Sequence, residues 1–148
     1  WSQTVANRER MLKVCPDVDF YISSTLSIMN SYHIPEFHRE WIELGLLEPM
    51  DWNINILQSP EYFRIDVLPE VMKQEVLALY SEHINWLEDK DRFKRAINGF
   101  KSAMNYMTGT DNSSLIPDLI KNLDKLDNLR KENFFEVFPE LQRIKEHG

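Results

Sequence analysis

The sequence predicts an α/β fold: a strand–helix–strand unit within residues 1–68, followed by a helical C-terminal region over residues 69–148. Three observations carry this. Apolar and polar residues alternate through residues 18–30 and again through 51–57. A helical stretch, 35–47, lies between them. Beyond Pro69 the apolar spacing lengthens from two residues to three or four.

In chain order, a first helix is expected over 4–14, with Val5, Met11 and Leu12 as its apolar stripe and Arg8, Glu9 and Arg10 outward. Pro16-Asp17 ends it. Cys15, just before, is expected to be a packed, inert thiol, since no His or basic residue adjoins it. The first strand sets Val18, Phe20, Ile22, Leu26 and Ile28 against Asp19, Tyr21, Ser23, Thr25 and Ser27. The second sets Trp52, Ile54 and Ile56 against Asp51, Asn53 and Asn55. Successive strand side chains point to opposite faces, so each strand buries one side and offers hydroxyls and amides on the other. A helix between two strands with short joints favours a parallel pair. Parallel sheets are usually covered on both faces. The polar face then lines a lumen that holds something polar; the plainer alternative is a face wetted by solvent. If it is a lumen, Ser23, Thr25, Ser27, Asn53 and Asn55 share one cavity.

Gln58-Ser59-Pro60 makes a turn, and alternation over 62–68 predicts a further short strand or extended segment. Pro69 and Glu70 then open a helix carrying Met72, Val76, Tyr80, His83 and Leu87 on one stripe. A helix over 91–108 places Phe93, Ile97, Phe100, Met104 and Met107 inward, and Pro117 opens another, with Leu119, Leu123 and Leu126 inward. Phe134, Phe135 and Phe138 read as a plug packed against the sheet.

Composition narrows the function. A net charge of −7 and pI of about 5.1 argue against general affinity for nucleic acid or anionic membrane. Lys90, Arg92, Lys94 and Arg95 alternate with Asp89 and Asp91, which reads as a solvated helix face. No apolar run reaches the roughly 20 residues of a membrane span, and no signal-peptide pattern opens the chain. One cysteine excludes an internal disulfide framework and fits a reducing, cytoplasmic setting. The chain opens on Trp1 with a helix already under way, and a lone strand pair leaves two bare edges. Both features suggest the downstream part of a longer protein.

No Gly-rich phosphate loop and no Cys/His set with zinc spacing is present. His33 is expected in the strand-to-helix loop, His38 on the helix surface and His83 in or beside the core. Asn30 falls where the first strand ends, the end at which α/β folds bind ligands. It either contacts a ligand or satisfies local backbone.

The run Thr25-Leu26-Ser27-Ile28-Met29-Asn30, with Tyr32, Ile34-Pro35-Glu36-Phe37 and Trp41 after it, resembles the later strands of the radical S-adenosylmethionine barrel. The likeness is closest to the twitch-type members, relatives of the SPASM proteins. Asn53-Ile54-Asn55-Ile56-Leu57, Pro60-Glu61-Tyr62, Leu68-Pro69 with Lys73, and the tail Phe134-Phe135 and Phe138-Pro139-Glu140-Leu141 continue it. The resemblance implies the last strands of a partial (β/α) barrel with a helical cap. It also implies a parent enzyme that uses S-adenosylmethionine and a [4Fe–4S] cluster on an unknown substrate. The family's three-cysteine loop is missing from this sequence, so cluster and methionyl contacts fall to an N-terminal barrel half, and neither cofactor is expected on this chain alone. Ser23, Thr25, Ser27, Asn30, Asn53 and Asn55 become candidates for cofactor or substrate contact. A stand-alone, non-catalytic interaction or scaffold module is the alternative.

Overall fold

The β-branched runs on either side of the first crossover pair with each other, as strands of this composition do. In the computed structural model, which describes residues 1–147, β1 (Ile22–Leu26) lies parallel to β2 (Trp52–Ile56). Ile22 stands opposite Trp52, and Leu26 opposite Ile56. The ladder is bracketed by Ile22 N donating to Asp51 O and Leu57 N donating to Leu26 O, both at 2.9 Å. Among the described residues these are the two strands of the sheet.

Among the described residues there are six α-helices: α1 (Ser2–Val14), α2 (Ile34–Glu43), α3 (Glu70–Leu87), α4 (Arg95–Gly109), α5 (Ile116–Arg130) and the single turn α6 (Phe134–Val137). The chain is therefore mixed α/β with a helical C-terminal region. α2 and α4 both lie on the apolar face of the sheet. Phe37 and His38 of α2 set their rings 5.5 and 4.4 Å from that of Trp52. α4 comes in at Gly99, which faces the side chain of Ile54. α3 packs on α4, with Tyr80 edge-on to Phe100 at 5.1 Å. Met72, Val76, Tyr80, His83 and Leu87 are all buried, as their spacing predicts. The resulting apolar core is continuous from Leu26 to Ile144 and crosses the division at residue 68. No helix among the described residues is long and apolar enough to cross a membrane.

Several expectations are corrected. The first strand is shorter than 18–30. Val18 is exposed, and after Leu26 the chain turns into a 3-10 turn, Ile28–Asn30, because Ser27 and Asn30 cap it reciprocally. Residues 62–68 form no strand. They make two 3-10 turns, Glu61–Phe63 and Ile65–Val67, in which Ile65, Asp66 and Val67 are all buried, so period two does not hold. α1 buries none of its residues; it touches the core through Val5 and leaves Leu12 and, beyond its end, Cys15 exposed. Phe93 and the cations Lys90, Arg92 and Lys94 sit on the turn before α4 rather than on a helix face, and Arg95 is the first residue of α4. Asp91 in that turn is buried and accepts from Ile97 N at 3.0 Å. Phe134, Phe135 and Phe138 pack among themselves and beside α5 and His33, since α2 and α4 already occupy the sheet's apolar face.

Candidate functional site

The polar sides of β1 and β2 form one face. Ser23 is in register with Asn53, and Thr25 with Asn55, and all four side chains are exposed. Three of them contact one another: Asn55 Nδ2 donates to Ser23 Oγ, and Asn53 Nδ2 reaches Asn55 Oδ1 at 3.4 Å. The amide of Asn55 thus bridges the two strands. The shared face exists, but it opens to solvent and no cavity encloses it. The expected common cavity is corrected to an open polar surface.

Ser27 and Asn30 do not join that surface. Ser27 is buried, and its hydroxyl accepts from Met29 N at 3.3 Å. Asn30 Oδ1 accepts from Ser27 N, and its Nδ2 donates to Thr25 O, each at 2.9 Å. Both side chains thereby bond local backbone, and Ser27 is buried away from the polar face of the strands. A hollow of about 310 Å³ beside β1 is lined by Thr25, Asn30, His33 and Phe37. A second, of about 520 Å³ at the start of β2, is lined by Tyr21, Asp51, Asn53, Arg95 and Asn98. The polar face offers neutral donors and acceptors, suited to binding and orienting a polar molecule.

At the carboxyl end of β1 the C-terminal residues close in. His33 Nε2 lies 2.6 Å from Glu140 Oε1, in the strand-to-helix loop as expected. Glu75 accepts from Tyr32 OH at 2.8 Å and from both terminal nitrogens of Arg143. Those bonds, led by Arg143, hold the Glu75 carboxyl below its ordinary range, while burial pushes the Tyr32 phenol up.

His38 is not on the helix surface. It is fully buried, with Nδ1 3.0 Å from His83 Nε2, and Trp52 and Phe100 lie against it. Desolvation lowers His38 to about 3, with the neighbouring His83 adding to it, and lowers His83 to about 4, with the charge of Arg39 adding to that. Both imidazoles are neutral near pH 7. The signal for His38 was its spacing: Ile34, His38 and Trp41 fall at i, i+4 and i+7, one buried stripe of α2. Among the described residues, no group of three or more His, Cys, Asp or Glu is placed to hold a metal ion.

The chain matches no protein-family model, no curated protein and no solved structure.

Proposed function

We propose that this chain is the C-terminal part of a radical S-adenosylmethionine enzyme, with β1 and β2 as the last strands of a partial (β/α) barrel. One observation carries the reading beyond the resemblance. The strands are parallel, both flanking helices lie on the Trp52–Ile54 side, and Ser23, Thr25, Asn53 and Asn55 crowd the other. A barrel wall needs that sidedness: helices outside, chemistry inside. In the whole enzyme the N-terminal barrel half would supply the cluster cysteines and cover the polar face. The four side chains would then hydrogen-bond cofactor or substrate, in a reducing cytoplasm that preserves the cluster. The chemistry of the parent is reductive cleavage of S-adenosylmethionine and hydrogen abstraction from a substrate.

The coding sequence upstream of Trp1 tests this. An in-frame three-cysteine loop supports it; an in-frame start codon immediately before Trp1 removes it. In the parent chain, an Asn53→Ala, Asn55→Ala double variant is expected to weaken S-adenosylmethionine or substrate binding while the isolated residues 1–148 keep their stability.

A second reading, a stand-alone interaction or scaffold module, is favoured by the apolar core, which is continuous through both parts of the chain.

A further inference from the structure

β1 is open along one border. In a parallel ladder alternate residues of a strand face its partner. Ile22 N donates to Asp51 O and Leu26 O accepts from Leu57 N, so the even positions of β1 bond β2. The odd positions look the other way, and among the described residues nothing bonds Ser23 N, Ser23 O or Thr25 N. A hollow of about 310 Å³ lies beside that border, with Ser24 of β1 and Ile34 and Phe37 of α2 in its wall. No residue of β2 lines it, which puts it on the outer side of β1.

α1 is placed to cover a strand there. Trp1, at its start, sets its ring 5.5 Å from that of Phe37 and donates Nε1 to Glu40 at 3.0 Å. Arg8, two turns on, donates Nε to Leu46 O at 2.9 Å and lies 3.7 Å over the Phe20 ring. α1 therefore runs beside α2 in the same direction, antiparallel to β1, on the side of Phe37 and the hollow. α2 leads into β2 through residues 44–51, and α1 leads into β1 through a loop of similar length, 15–21. α2 covers a strand pair and buries four residues, whereas α1 buries none. The α1–β1 segment thus repeats the second half of the β1–α2–β2 unit without its first strand.

We propose that the free border of β1 takes up a third strand, parallel to β1 and supplied by polypeptide upstream of Trp1, with α1 as the crossover helix. The source of the strand rests on the reading that residues 1–148 continue a longer chain, not on that chain's chemistry. The incoming backbone accepts from Ser23 N and Thr25 N and donates to Ser23 O. One of its apolar side chains fills the hollow against Ile34 and Phe37, and its alternate residues extend the polar face of Ser23 and Thr25. Parallel neighbours need a crossover connection, and α1 has the direction and the position for one. A second copy related by a two-fold axis would pair its β1 antiparallel, an arrangement that gives α1 nothing to connect.

Amide exchange read residue by residue, in the parent chain and in residues 1–148, tests this. Relative to the Ser24 amide, which faces β2 in both, the Ser23 and Thr25 amides are expected to exchange about a hundred-fold more slowly in the parent chain. Thr25→Pro removes an outward N–H and spares the β1–β2 ladder. It is expected to lower the melting temperature of the parent chain by several degrees and that of residues 1–148 by about one degree or less. Slow exchange at Ser23 and Thr25 with no three-cysteine loop upstream keeps the strand and removes the enzyme reading. The loop present with unchanged exchange overturns the strand and leaves the enzyme reading standing. Equal effects of Thr25→Pro on the two chains, or an in-frame start codon immediately before Trp1, also overturn it.

Discussion

Ser23 and Leu26 lie three positions apart on β1 and have opposite surroundings. Leu26 is fully buried in the core, and Ser23 is exposed on the polar face. Leu26→Ala is expected to cost about 2–5 kcal/mol in denaturant unfolding, the usual loss for a core leucine. Ser23→Ala is expected to stay within about 0.5 kcal/mol, since its one partner is an exposed amide. The His38–His83 pair carries a pH dependence. Each folded-state value, about 3 and about 4, lies below the ordinary 6.5. Between those limits the unfolded chain binds more protons than the folded one. Stability is therefore full above about pH 6.5 and falls as the solution is acidified toward pH 4. Proton-detected titration of the imidazole carbons checks this: the His38 and His83 signals should stay at their neutral positions through pH 5.

At the level of elements, two backbone positions invite substitution. Lys131 closes α5 with φ of 57°, the left-handed conformation that glycine adopts without strain. Lys131→Gly is expected to stabilise by about 0.5–1 kcal/mol. Gly99 sits inside α4, where an added Cβ would meet Ile54 at 3.6 Å, ordinary contact distance. Gly99→Ala is expected to raise the melting temperature, by a stabilisation of up to about 1 kcal/mol. The helices were legible because apolar spacing is local: Met72 to Leu87 needed no partner to be read. The strands were legible in direction and face, but their lengths were set by pairing. Five residues of β2 can hold only five of β1, and the Ser27–Asn30 cap ends the ladder there. The alternation over residues 62–68 misled for a long-range reason. Asp66 is drawn inward by Arg64 at 3.3 Å and by Asn112 Nδ2 at 2.8 Å, a residue 46 positions away. At the site, the polar face was visible in the odd positions, whereas its openness and the burial of Ser27 depended on neighbours no single segment specifies.

For the molecule as a whole, the decisive property is one core shared by both parts of the chain. His38 from α2 meets His83 from α3, and Ile54 from β2 meets α4. The isolated chain is expected to melt in one cooperative transition, with calorimetric and van't Hoff enthalpies equal. Two separated transitions would show that residues 1–68 and 69–148 fold independently. The bond from Asn30 to the Thr25 carbonyl reaches further than its role as a cap. The even residues of β1 bond to β2, so the Thr25 carbonyl looks outward, along the strand's free border. Asn30 occupies that border at its downstream end. A newcomer strand sliding alongside would find its last rung already taken, and would have to dock upstream, around Ser23. One amide thus works as a doorstop, setting how far any neighbour can advance along the sheet.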